Sequence, residues 1–288
     1  MKRAEEGFVD VPGGRVWYRI VASGDRPPLL VLHGGPGMPH DYLEPLEALA
    51  DERSVVFYDQ LGCGNSEKPD DVELWNIERF VEELDVIVKW LRLEHFIILG
   101  HSWGSMLATD YMLTNPSGPV GLILAGPCLN VEQWLRDASA YRRALPEEVR
   151  KTLDRHEAAG SIESEEYEEA TAAFYRRHFC RLDPWPAALQ RTWDRIALPV
   201  YNTMWGPTEF RQTGNLGGYD RTDRLHEIAL PTLFTCGRFD EASPEATVMY
   251  QSLLPGSELV VFEKSSHTPH LEEQESYIRE VRHFLNRI

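Results

Sequence analysis

The pentapeptide Gly100-His101-Ser102-Trp103-Gly104 sets a serine between two glycines, the spacing found where a hydroxyl must stand clear of a tight turn and act as a nucleophile. So short a match can arise by chance, and its flanks decide the matter. The apolar run 96–99 precedes it and a helical pattern over 105–113 follows, giving strand, turn and helix. Small residues at Gly100 and Gly104 let backbone approach the strained turn. The helix behind Ser102 aims free N–H groups and a positive dipole end at the hydroxyl. A serine also needs a base, and the base an orienting acid. On such an elbow the chain order is serine, acid, histidine. Asp240 lies in Gly237-Arg238-Phe239-Asp240-Glu241, directly after the apolar run 233–236. Of the 10 histidines only His267, His270 and His283 lie beyond it. His267, on the loop after the run 259–262, is the expected base; His270, which opens the last helix, is the alternative. His33-Gly34-Gly35-Pro36-Gly37 follows another apolar run, 29–32, and offers the Gly35 N–H as one oxyanion donor. The Trp103 N–H is the other, and such donors are worth about 3 kcal/mol each. The Gly-Lys-Ser/Thr of a nucleotide-binding loop is absent there, which argues against a phosphate cradle.

These residues need a scaffold that sets strand ends side by side. Apolar runs at 29–32, 55–58, 96–99 and 120–124, bounded by Gly or Pro, suit strands buried on both faces of a parallel sheet. Helical spacing is clearest at 77–91. Alternating strands and helices imply right-handed crossovers and an α/β fold. Ahead of them, residues 8–11 and 15–22 alternate as strands around Pro12-Gly13-Gly14. From about 131 to 227 the chain turns rich in Glu, Arg, Trp and Ala, with helical periods at 131–145 and 167–179 and no convincing buried strand. The acidic stretch 163–169 reads as a solvated helix face. Strand patterns return at 231–237 and 258–262, and an amphipathic helix over 277–285 closes the sequence. The expected organisation is an α/β core in two parts, 1–128 and 230–288, interrupted by a helical cap at 129–229.

The composition of the 288-residue chain, 42% hydrophobic and 26% charged, suits a soluble globular protein. Acidic residues outnumber basic ones 46 to 29, a formal charge of -17, which disfavours nucleic acid and anionic membranes as partners. Cys63, Cys128, Cys180 and Cys236 form no Cys-x-x-Cys pair, so reduced thiols in a cytoplasmic protein are expected, without a metal or redox motif. No signal-peptide pattern or membrane-length apolar run is visible.

Several segments together are similar to the proline iminopeptidase (prolyl aminopeptidase) family, including its tricorn-interacting aminopeptidase branch. They are His33-Gly-Gly-Pro-Gly, Asp59-Gln60-Leu61-Gly62-Cys63-Gly64-Asn65-Ser66, Gly100-His-Ser-Trp-Gly, Trp205-Gly206-Pro207-Thr208-Glu209-Phe210 and Gly237-Arg-Phe-Asp-Glu. The likeness runs through nearly the whole chain. It implies an α/β-hydrolase fold with a mostly parallel sheet flanked by helices and a helical cap that shapes the substrate pocket. It also implies that Glu209 and Glu241 hold a substrate's free α-amino group, for which paired carboxylates offer charge-assisted bonds. Trp103, Trp134, Tyr141 and Trp205 are candidates for an apolar pocket around the first residue. The expected activity is a cofactor-free serine aminopeptidase releasing proline or another apolar N-terminal residue from short peptides. An amino-acid amidase or small-molecule esterase with the same triad is the alternative, and a non-catalytic receptor would require a broken triad.

Overall fold

The computed structural model describes residues 3–22 and 24–288; Met1 and Lys2, with which the stretch read for a targeting signal begins, lie outside them. In chain order its first half holds β1 (Arg3–Val11), β2 (Gly14–Ala22), β3 (Arg26–Leu32), β4 (Arg53–Tyr58), α1 (Ile77–Trp90), β5 (Phe96–His101), α2 (Trp103–Met112) and β6 (Pro119–Ala125). Five helices follow: α3 (Val131–Arg143), α4 (Glu147–Ala159), α5 (Glu165–His178), α6 (Ala187–Trp193) and α7 (Leu198–Met204). The chain then closes with β7 (Thr232–Gly237), α8 (Pro244–Leu253), β8 (Glu258–Phe262), α9 (Pro269–Glu272) and α10 (Gln274–Leu285).

The strands form an 8-stranded sheet in the order β1-β2-β4-β3-β5-β6-β7-β8. β1 and β2 pair as an antiparallel hairpin and β2 runs antiparallel to β4; every other pairing is parallel. This is the mostly parallel α/β sheet that the strand and helix alternation predicts. Every residue of β5 and of β7 is buried, which is why both read as near-continuous apolar runs. α1 turns Phe80, Leu84, Ile87 and Val88 inward, and Asn76 caps it by accepting the Arg79 N–H at 2.9 Å.

Between β6 and β7, Asn130 caps α3 by accepting the Gln133 N–H at 2.7 Å, and its Nδ2 donates to Asp220 at 2.7 Å. Ser164 caps α5, whose first turn carries Glu165, Glu166 and Glu168, so the acidic stretch complements a helix dipole as well as facing solvent. α4 stops at Gly160, in the left-handed conformation with φ 69°.

Two elements depart from the sequence pattern. β1 begins at Arg3 rather than near residue 8, because its backbone pairs with β2 as far as Ala22 although Glu5 and Glu6 give no apolar signal. Residues His40–Asp51 form an extended 3-10 segment whose period is interrupted by Pro45, yet Tyr42, Leu43, Leu46 and Leu49 are buried. The parallel array has one functional consequence. The loops leaving β3, β5, β7 and β8 emerge at one edge of the sheet, where α/β folds bind ligands.

Candidate active site

Ser102 stands at the turn from β5 to α2 with φ 55° and ψ -121°, a conformation that costs a side-chain-bearing residue energy and is held by its surroundings. Its N–H donates to the Ala125 carbonyl at the end of β6 (2.9 Å). Both flanking glycines are sterically required. A Cβ on Gly104 would come within 2.9 Å of the His33 carbonyl oxygen, and one on Gly100 within 2.9 Å of the Ser105 nitrogen. As the first residue of α2, Trp103 has an N–H with no acceptor inside the helix. Gly35 is at φ 110°, and a Cβ there would come within 2.7 Å of the Met38 nitrogen. Gly35, Ser102 and Trp103 line a common cavity.

Asp240 and His267, from the loops after β7 and β8, are both fully buried, and the His267 Nδ1–H donates to Asp240 Oδ1 at 2.6 Å. The carboxylate also accepts the N–H groups of Gly237 (3.1 Å) and Ala242 (2.8 Å). This arrangement leaves the lone pair of His267 on Nε2, the atom a general base uses. Ser102 and His267 line a second, adjoining cavity with Glu209 and Glu241. His270 is buried against His101 and Tyr42, with ring centroids 5.2 and 5.5 Å away, and burial drives its pKa down to about 3.

A buried relay ties these loops together. The Gly34 N–H donates to Tyr42 Oη (2.9 Å), Tyr42 O–H donates to His101 Nδ1 (2.8 Å), and His101 Nε2–H donates to the His267 carbonyl (2.8 Å). Burial holds the pKa of His101 well below the usual imidazole range, so it stays neutral in this tautomer. Gln60 forms a second tie: its Nε2 donates to the His33 carbonyl (3.1 Å) and its Oε1 accepts the Trp103 indole N–H (2.8 Å). Asp59, next to it, accepts both the backbone and the ring N–H of His40 (2.9 and 2.8 Å).

Glu209 sits on a turn closed by the Arg211 N–H donating to the Thr208 carbonyl at 3.0 Å. The Trp134 indole donates to the Glu209 carbonyl (3.1 Å), and the Tyr201 hydroxyl donates to Glu209 Oε1 (2.5 Å). Burial pushes the Glu209 carboxyl up to about 7, against the opposing effects of Tyr201 and His267. Glu241 is fully buried and raised well above the carboxylate range, first by burial and then by the charges of Glu209 and Asp240. Glu241 Oε2 has no hydrogen-bond partner, while Oε1 lies 3.8 Å from His267 Nε2. Two carboxylates thus face the base with unused acceptor capacity, a setting for a cation.

Trp103, Trp134 and Trp205 line the first cavity together with Pro36, Met106 and Cys128. Tyr141 does not; it stacks on His178 instead, with ring centroids 4.2 Å apart. Gly126 carries no motif signal, yet a Cβ there would stand 2.7 Å from His267 Cε1. Tyr42, and the part His101 plays beside the elbow serine, likewise carry no local signal, since their relevance lies in contacts between distant loops. Among the described residues, no group of three or more His, Cys, Asp or Glu side chains is arranged to hold a metal ion, and no helix is long and apolar enough to cross a membrane.

Residues 27–274 match the model of the alpha/beta hydrolase fold family. The chain is 47% identical over 285 residues to a proline iminopeptidase of Heyndrickxia coagulans, spanning 98% of this chain and 99% of the relative. Among solved structures it is similar to VinJ, with a TM-score of 0.95 at 37% identity, covering 98% of both chains. It is similar also to the proline iminopeptidase of Mycobacterium smegmatis, with a TM-score of 0.91 at 36% identity and 98% of both chains covered.

Proposed function

Since the chain belongs to the proline iminopeptidase family of α/β hydrolases, we propose that it is a serine aminopeptidase that releases N-terminal proline, or another apolar residue, from short peptides. The observation that carries this reading is the buried pair Glu209 and Glu241 in one cavity with Ser102 and His267. An endopeptidase or a plain esterase has no use for two desolvated carboxylates beside its base; an enzyme that must find a free amine does.

Ser102 Oγ attacks the carbonyl carbon of the first residue while His267 Nε2 takes its proton. Asp240 keeps the imidazole in the Nδ1–H tautomer and stabilises the imidazolium that forms. The backbone N–H groups of Gly35 and Trp103 receive the developing oxyanion. His267 then gives its proton to the departing amide nitrogen, the shortened peptide leaves, and water activated by the same base hydrolyses the acyl-enzyme. Glu209 and Glu241 bind the substrate's ammonium, which brings the adjacent carbonyl to Ser102. Trp134, Trp205 and the Trp103 ring enclose the first side chain.

The test is a rate comparison of prolyl and alanyl p-nitroanilides with their N-acetylated forms. Free-amine substrates are expected to turn over at least about a hundredfold faster, the scale of losing buried charge-assisted bonds. Equal rates on the blocked substrates would overturn amine recognition. Rates on prolinamide, a dipeptide and a butyrate ester separate peptidase from amidase and esterase activity. We also place the protein in the cytoplasm, a reading supported by four cysteines that are all free and buried.

A further inference from the structure

His178 is the last residue of α5, at a helix end whose final carbonyls have no acceptor role within the helix. Its carbonyl oxygen accepts two backbone N–H groups, that of Glu241 at 3.1 Å and that of His267 at 3.2 Å, using both lone pairs. Its ring Nδ1–H donates to the carbonyl of Phe239 at 2.9 Å. The Phe239 carbonyl and the Glu241 amide flank Asp240, so one residue from the helical segment brackets the acid on both sides and holds the base by its backbone. The ring is itself confined, stacked on Tyr141 at 4.2 Å and packed on Phe174 at 5.0 Å.

We infer that His178 is a positioning residue that sets Asp240, Glu241 and His267 in register with one another and with α5. The helices between β6 and β7 would then complete the triad as well as wall the pocket. Were α5 to lift away, Glu241 and His267 would lose backbone acceptors and Phe239 its donor, so access to Ser102 cannot come from a swing of this helix with the triad left intact. The inference rests on the triad reading given above.

Three substitutions separate the clamp from ordinary packing. Asparagine carries an N–H donor at the branch position of the imidazole Nδ1, glutamine carries it one bond farther out, and alanine has none. All three remove the stacking on Tyr141 and are expected to lower the melting temperature alike. The rate of covalent labelling of Ser102 by a fluorophosphonate is expected to fall about tenfold in His178→Ala and His178→Gln, the scale of one intramolecular hydrogen bond lost. His178→Asn should stay within about threefold of the wild type on the same scale. The kcat on prolyl p-nitroanilide should follow the same order, with KM changing less. Equal labelling rates in the asparagine and glutamine variants, or wild-type rates in both, would overturn the clamp even if the alanine variant failed to fold. Absence of labelling in the wild type removes the triad reading and this inference together. Labelling without turnover of prolyl substrates removes only the substrate assignment.

Discussion

Beyond the proposed triad, the most consequential single residue is Glu241, a fully buried carboxyl with an unpartnered oxygen. Its raised pKa means that the folded state holds a proton the unfolded chain gives up. Stability is therefore greatest below the ordinary carboxylate range and falls as pH rises toward the raised value. Glu241→Gln removes this cost. Its melting temperature at pH 8 is expected to exceed the wild type's by roughly 2–4 °C, with the gap shrinking toward pH 4. In the same variant KM for free-amine substrates should rise steeply; a melting temperature unchanged at every pH would contradict the account. For Glu209, protonation as pH drops through about 7 removes a partner for the ammonium, so kcat/KM should fall on that limb. Gly126 is at φ 53°, and a Cβ there would stand 2.7 Å from His267 Cε1. Gly126→Ala would press the imidazole off its line to Ser102 and lower kcat by about 10²-fold, the scale of a misplacement near 1 Å. A wild-type pH–rate profile and rate in that variant would show that the ring has room to spare. The candidates Ser102, Asp240 and His267 are legible in the sequence because each follows an apolar run at a strand end. Glu209 was legible only through its resemblance motif. Gly126, Tyr42 and His101 were not, since no local pattern encodes which backbone or ring lies across from them.

At the scale of elements, the parallel strands were readable because burial on both faces writes an uninterrupted apolar run, as in Ile97, Ile98 and Leu99 of β5. The half-polar edge of β1 and the proline-interrupted segment at His40–Asp51 lack such a signature and take their structure from tertiary pairing. α3 deserves a test of its own, because it carries Trp134, whose indole holds the Glu209 turn. Asn130 both caps this helix and donates to Asp220. Asn130→Ala is expected to cost about 1 kcal/mol of stability. The loss should appear as faster amide exchange in the first turn of α3 and as a higher KM with kcat little altered. Faster exchange confined to α1, or a loss confined to kcat, would separate the cap from the pocket wall.

For the whole molecule, the dominant global property is the formal charge of -17. A field of that sign draws in substrates that carry a free ammonium, and salt screens it. Between about 20 mM and 500 mM salt, kcat/KM for a prolyl substrate is expected to fall severalfold, while labelling by an uncharged fluorophosphonate stays level. A parallel decline of both would indicate a general effect of salt on the site rather than steering.

Ser102 and the proposed oxyanion donors Gly35 and Trp103 come before Gly160, whereas Asp240, His267 and both glutamates come after it. Gly160 lies exposed in the bend between α4 and α5, with open space around its Cβ position. A chain interrupted there would give one piece bearing an attacking group without a base and another bearing a base without anything to activate. Neither would hydrolyse a peptide alone, and restored turnover would count how many pairs of fragments had found each other.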